Sequence, residues 1–292
     1  MEMYLITGFL GSGKTTFLNY QLKHSTKRIG VLVNEFGQTS IDSVTIEAST
    51  LVELKNGSIF CSCLKSDFIS SLIDLSNRAL DILLIETSGL SDPSNFSDIL
   101  GVVRENSSNS IGYKGCITLI DAKHFMKVHE VMNVVSRQIK QANHLLLNKI
   151  DLVDSTSLKE TIKVVKSINE KATIHEVTKA CISLSELNYT PSALVPCESL
   201  NNKDNRPFTR TIQLNGISHT DLKIFLDSIT SLVLRAKGYV QIEDDYYKVD
   251  VVLNEFTITE VDDHEVKNEL VIIMNNEHRQ VAKLDKLIRN LY

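Results

Sequence analysis

The chain has 292 residues, enough for about two domains of ordinary size. Apolar residues make up 42% and charged residues 23%, the balance of a globular protein able to bury a sizeable core. The formal net charge of −5 argues against a nucleic-acid partner, because a phosphate backbone rewards basic surfaces. Five cysteines (Cys61, Cys63, Cys116, Cys181 and Cys197) form an odd set with one close pair, which fits a reducing compartment better than a disulfide framework. No apolar run approaches the ~18 residues of a membrane span, so no membrane partner is expected. The first strand is expected to begin at Met3 and to run straight into a glycine-rich loop, so no signal peptide is expected. The expected location is the cytoplasm.

In chain order, MYLITG (3–8), IGVLVNEFG (29–37), LDILLIETSG (80–89), GCITLIDA (115–122) and HLLLNKIDL (144–152) are short, continuous apolar runs. Such runs read as strands buried on both faces, as in a parallel sheet. TTFLNYQLKH (15–24) and FISSLIDLSNRA (68–79) read as intervening helices. Alternation of this kind predicts an α/β fold with right-handed crossovers. Three of the four prolines then fall in the polar stretch YTPSALVPCESLNNKDNRPF, which reads as a linker. Beyond it, SHTDLKIFLDSITSLVLRAKG carries Leu222, Phe225, Leu226, Ile229, Leu232 and Val233 at helical spacing, and Arg235 and Lys237 before Gly238 read as its C-terminal cap. FTRTIQLN, YVQIEDD, YYKVDVVLNEFTITEV and NELVIIM read as an antiparallel sheet, closed by a helix in VAKLDKLIRNLY. The alternation predicts an α/β domain with a mostly parallel sheet (1–190), a linker (191–206) and a smaller α+β C-terminal domain (207–292); the motif at 8–15 makes the first a P-loop NTPase domain.

GFLGSGKT (8–15) fits G-x-x-x-x-G-K-[ST] between a strand and a helix. Backbone amides of Ser12 through Thr16, with Gly11 and Gly13 allowing the turn, would cradle phosphates at the helix N-terminus. Lys14 would reach the β- and γ-phosphates, and the Thr15 hydroxyl would ligate Mg²⁺. Glu86, in IETSG at the end of a later strand, suits a carboxylate that holds Mg²⁺ through water, and Gly89 would let the backbone approach the γ-phosphate. NKID (148–151) selects the base. The Asp151 carboxylate can accept two hydrogen bonds from guanine, whereas adenine offers no such donor pair, so GTP is expected over ATP. Asn148 and Lys149 would shape the base pocket.

GFLGSGKTT, VNEFG, IETSGLSDP and LLNKIDLV, in this order, resemble the CobW-like family of P-loop GTPases. That family belongs to a wider group with the urease and hydrogenase maturation GTPases. LRAKGYV (234–240) resembles the motif of its C-terminal domain, so the likeness runs over essentially the whole chain. The resemblance implies a GTP-hydrolysing metallochaperone or metal-insertion factor that delivers zinc or cobalt to a client protein. It implies that Glu86 replaces the usual Walker B aspartate, that Glu35 of NEFG serves the transition metal and the switch region, and that Asp42 lies near Mg²⁺.

The family's cysteine motif reads GCICC after an asparagine, whereas this chain reads NGSIFCSC. Ser58 and Phe60 stand where two of the cysteines would be; Cys61 matches, and Cys63 is additional. Residues two apart on a strand lie about 6.6 Å apart. Two thiolates on one zinc must approach to under about 4 Å, so a shared ion requires the segment to turn. Cys61 and Cys63 therefore read as soft metal ligands, as small buried hydrophobes or as a local disulfide. His264, in DDHE, reads as part of a solvated turn, and Cys116 as core. No catalytic glutamine or arginine finger stands in the switch motifs, so turnover is expected to be slow and raised by a partner or by a homodimer. The rival expectation is a GTP-regulated switch that binds a client enzyme without carrying metal. A P-loop kinase is disfavoured by NKID.

Overall fold

The computed structural model describes residues 1–34, 50–54, 65–187, 207–262, 266–275 and 277–291. They form two compact units, one ending at 187 and one beginning at 207. The first runs β1 (Glu2–Gly8), α1 (Lys14–His24), β2 (Ile29–Asn34), β3 (Thr50–Leu54), α2 (Lys65–Ser76), β4 (Ile82–Glu86), α3 (Phe96–Asn106), β5 (Gly112–Asp121), α4 (Phe125–Val131), α5 (Asn133–Gln141), β6 (His144–Asn148), α6 (Ser155–Ile168) and β7 (Thr173–Glu176). The strands form one sheet in the order β3-β2-β4-β1-β5-β6-β7, every neighbour pair parallel.

The continuous apolar runs are explained by helices on both faces of this sheet. Leu5, Leu83 and Ile85 pack with Phe68 and Leu72 of α2 and Phe96 of α3. Ile6, Val31 and Leu84, on the alternate parity, pack with Phe17 and Leu18 of α1. Cys116 is fully buried in the first of these layers, and burial pushes its thiol up to about 12, so it stays a neutral core side chain. The two strands absent from the sequence reading, β3 and β7, are the sheet's edges. They are short and partly exposed, and so lack the apolar run that marks a central strand.

The second unit runs β8 (Phe208–Ile212), α7 (His219–Ile229), β9 (Arg235–Ile242), β10 (Asp245–Val252), β11 (Glu255–Val261), β12 (Glu269–Met274) and α8 (His278–Arg289). Its sheet is antiparallel in the order β11-β10-β9-β12-β8. One face packs on Leu222, Phe225, Leu226 and Ile229 of α7 and on Leu284 and Ile288 of α8.

The helix expected to run through R-A-K-G ends earlier, and R-A-K-G itself is strand. Ser218 caps α7 by accepting from the Asp221 amide, but the helix ends at Ile229 and the amides of Leu232 and Val233 turn back to its carbonyl. Arg235 and Lys237 are strand residues, not a helix cap. RAKGYVQI has a period of two: Ala236, Val240 and Ile242 join the core, while Arg235, Lys237 and Tyr239 alternate with them. The ladder to β10 and β12 satisfies this segment's backbone and outweighs its helical spacing. The linker expected over 191–206 lies outside the described residues. No helix among the described residues is long and apolar enough to cross a membrane.

Candidate nucleotide site

The parallel sheet brings four loops together at the carboxyl ends of its strands. β1 leads into the G-x-x-x-x-G-K-T loop, β4 ends on Glu86, β5 ends on Asp121, and β6 ends on Asn148. Register fixes their relation: Glu86 is opposite Ile6, two residues before Gly8, and Asp121 is opposite Asn148. In parallel α/β sheets, ligands bind at this end.

The glycine-rich loop is folded for an anion. Gly13 caps α1 with φ at +106°, a conformation that side chains disfavour, and it supplies no side chain to satisfy the first helical amides. No acidic residue stands in the first turn of α1. The Lys14 ammonium is buried at 6% exposure and donates to the carbonyls of Gly8 (2.9 Å) and Phe9 (3.1 Å), so it arches over the loop. Ser12 Oγ is buried with no hydrogen-bond partner among the described residues. An uncapped helix start, an inward hydroxyl and a lysine over the loop suit a polyphosphate's oxygens. Thr15 and Thr16 occupy the first turn of α1, and Glu86 is buried at the end of β4, the strand paired with β1. A hydroxyl and a carboxylate are the hard oxygen donors that Mg²⁺ prefers.

The loop after Glu86 is pinned on the β1 side. Thr87 donates its amide to Ile6 O (3.0 Å) and its hydroxyl to Thr7 Oγ1 (3.1 Å). Gly89 approaches the glycine-rich loop so closely that a Cβ there would stand 2.7 Å from Leu10 N.

Asn148 joins two loops. Its amide donates to Ser12 O (2.9 Å), and its side-chain oxygen accepts from Ala180 N (2.8 Å). Lys149 turns out of β6 in the left-handed region (φ 63°) and its Nζ donates to Asp121 Oδ2 at 2.6 Å. The same carboxylate oxygen meets His124 Nδ1 at 3.0 Å, and Oδ1 accepts from Lys123 N. Asp151 follows in a single 3₁₀ turn with its carboxylate exposed, a ready acceptor for a base edge.

Of the sequence-derived residues, Gly11, Ser12, Gly13, Lys14, Thr15, Thr16, Glu86, Asn148, Lys149 and Asp151 lie at this end of the first unit's sheet. Glu35, Asp42, Cys61, Cys63 and His264 lie outside the described residues. Among the described residues no cluster of three or more His, Cys, Asp or Glu side chains could hold a metal ion. The sequence reading missed Asp121 and the loop at 178–180, where Lys179 and Ala180 both adopt left-handed φ. Asp121 carried the same signal as Glu86, an acid ending an apolar strand.

A glycine-rich anion loop at the head of a parallel sheet, an acid ending the next strand and an asparagine clamp at a third define a P-loop nucleotide-binding domain. Residues 2–176 match the model of the CobW/HypB/UreG nucleotide-binding domain, and the chain belongs to that family. It is 33% identical over 194 residues to the zinc chaperone YjiA of Escherichia coli, covering 63% of this chain and 59% of that one. It is 27% identical over 228 residues to the zinc-regulated GTPase metalloprotein activator 1 of Dictyostelium discoideum, covering 64% and 48%. The chain thus spans about half the length of the curated relatives it matches. A crystal structure of Zn(II)-bound YjiA GTPase from E. coli aligns over 100% of this chain and 99% of that one, at 20% identity and a TM-score of 0.48.

Proposed function

We propose that this protein binds and hydrolyses GTP with Mg²⁺ and uses the nucleotide state to carry a transition metal, zinc or cobalt, to a client protein. The observation that carries the guanine assignment is Asn148, which ties the phosphate loop at Ser12 to the 178–180 loop and leaves Asp151 exposed beside it. In this reading Asp151 accepts from the ring N–H and exocyclic amine of guanine, and Asn148 and Lys149 hold the walls of the pocket. Asp121 steers the Lys149 ammonium.

The phosphates lie over the amides of Ser12 through Thr16, at the start of α1. Lys14 neutralises the charge that develops on the γ-phosphoryl oxygens as water attacks phosphorus and the bond to the β-phosphate oxygen breaks. Thr15, Glu86 and Asp42 would hold Mg²⁺, which supplies further charge neutralisation on the same oxygens. Glu35, Cys61 and Cys63 are the proposed cargo ligands. Zinc suits two thiolates, and the two relatives named for zinc lend this reading its metal. Domain limits of 1–190 and 207–292, a cytoplasmic setting, and a client or a second copy that speeds hydrolysis belong to the same proposal.

Replacing Asp151 tests the base assignment directly. Asp151→Asn exchanges an acceptor for a donor, so affinity should move from GTP to the xanthine nucleotide, with a swing on the order of 100-fold in their ratio. Equal losses for both would sink the guanine pocket.

The replacement of two family cysteines by Ser58 and Phe60 favours a second reading, a GTP switch that engages a client without metal. Titrating the reduced protein with Zn²⁺ and Co²⁺ under GTP-analogue and GDP conditions separates the two. Micromolar or tighter binding that shifts with nucleotide and vanishes in the Cys61→Ser/Cys63→Ser protein supports the metallochaperone. Cysteine-independent or absent binding leaves the switch.

A further inference from the structure

Gln138 lies on α5 and is 1% exposed, and the chemistry above gives it no role. Its amide Nε2 donates to Gly89 O (3.1 Å) and to Ser91 O (3.0 Å). Both carbonyls belong to the loop that leaves β4 after Glu86. The backbone beneath the side chain is anchored as well. The last turn of α5 tightens so that Ala142 N bonds to Ile139 O, and the Gln138 carbonyl accepts instead from Thr118 Oγ1 of β5 (3.0 Å). On its other side the loop lies against the phosphate loop, with Gly89 packed on Leu10. One amide therefore fixes two carbonyls on either side of Leu90, in a segment that opens on a glycine, the residue with the most backbone freedom to lose.

We infer that Gln138 is a positioning residue for GTP: it pre-sets the Gly89 peptide so that this loop meets the γ-phosphate without first being ordered by it. This deepens the reading of the site as a GTP site and rests on it. The physical consequence is selective. A ligand with a γ-phosphate gains from a loop already in place, whereas a diphosphate does not reach it. Because α5 continues through Ala142 and Asn143 into β6 and Asn148, the same helix connects the γ-phosphate loop to the base-binding segment.

The test is Gln138→Met, which keeps length and volume but removes the donor. Affinities for a non-hydrolysable GTP analogue and for GDP are measured with Mg²⁺, alongside kcat, KM and the urea midpoint of the nucleotide-free protein. The expected result is a loss of about 10-fold for the GTP analogue, a change of less than about twofold for GDP, and a lower kcat. Equal losses for the two nucleotides assign Gln138 to packing alone and overturn the inference, as does the absence of any change. If the Met protein does not fold, Gln138→Asn, whose shorter amide cannot span both carbonyls, gives the same comparison. Wild-type protein that binds no guanine nucleotide overturns the underlying reading and the inference with it. Wild-type protein that binds both nucleotides, with a variant that loses both equally, overturns the inference alone.

Discussion

The two sheets of this protein bury comparable apolar side chains but dispose their polar groups differently. In the parallel sheet, both faces are sealed by helices, and the polar side chains Lys14, Glu86, Asp121 and Asn148 gather where the strands end. In the antiparallel sheet, one face carries the helices, and buried cations lie along a strand: Arg235 and Lys237 are each 8% exposed, and Arg235 Nε lies 3.5 Å from Asp250 Oδ1. Sealing both faces of a sheet leaves its ends as the place for polar groups, so the first unit gathers them at the carboxyl ends of its strands. Among the described residues of the second unit, the buried cations Arg235 and Lys237 instead lie within a strand.

The largest expected effect tests the packing half. Phe225 is 2% exposed and central to the α7 face of the second sheet. Phe225→Ala should cost about 3–5 kcal/mol, read as a lowered urea midpoint. A loss below about 1 kcal/mol would mean that the second core is far less tightly packed than its burial suggests. The first unit's edge should fail through chemistry instead. Lys14→Ala removes a charged donor aimed at the phosphate loop and should lower kcat for GTP on the order of 100-fold or more, in a protein that remains folded. Unchanged turnover in that variant would remove the loop from the reaction.

Asn148→Ala sits between these extremes, because the side chain serves both fold and ligand. It breaks two buried bonds, to Ser12 O and from Ala180 N, and should cost about 1–3 kcal/mol, divided between stability and GTP affinity. If the whole cost appears in the urea midpoint and none in affinity, the clamp is structural.

These residues also mark how far a sequence can be read. The loop from Gly8 to Thr15, Glu86 and Asn148–Asp151 are contiguous motifs legible by their spacing, and the sheet sets all three at the carboxyl ends of its strands. Gln138 was not legible because its partners are remote, 47 and 49 positions away, and Asp121, though it ends an apolar strand as Glu86 does, has its partner Lys149 28 positions on. No local pattern distinguishes them from a surface glutamine or a strand-end acid. The stretch from Leu232 to Gly238 shows the opposite failure. Its local pattern was clear but ambiguous, since apolar residues there fit a period of 3.6 and a period of two. Pairing with β10 and β12, not the segment itself, decides between them.

The smallest effect concerns two histidines at the other end of the first sheet. His144 Nδ1 and His175 Nε2 lie 3.1 Å apart on adjacent strands, β6 and β7. One ring must donate and the other accept, which two neutral imidazoles can do and two imidazolium ions cannot. Burial and then the neighbouring His175 hold His144 below the usual histidine range. Burial also lowers His175, with the Glu186 charge opposing in part. Because the folded values lie below the unfolded one, the unfolded chain binds more protons in between. Stability is then fully present above about pH 6.5 and is lost as pH falls from there toward the folded values. Each site can contribute at most about 1.4 kcal/mol per pH unit across that window. Urea midpoints at pH 7.5 and 5.5 should therefore differ in the wild-type protein, and His144→Asn should narrow the difference by removing one titrating ring and the donor–acceptor conflict. If the variant keeps the wild-type slope, the acid sensitivity of the first unit lies elsewhere, and the histidine pair is no more than a buried hydrogen bond.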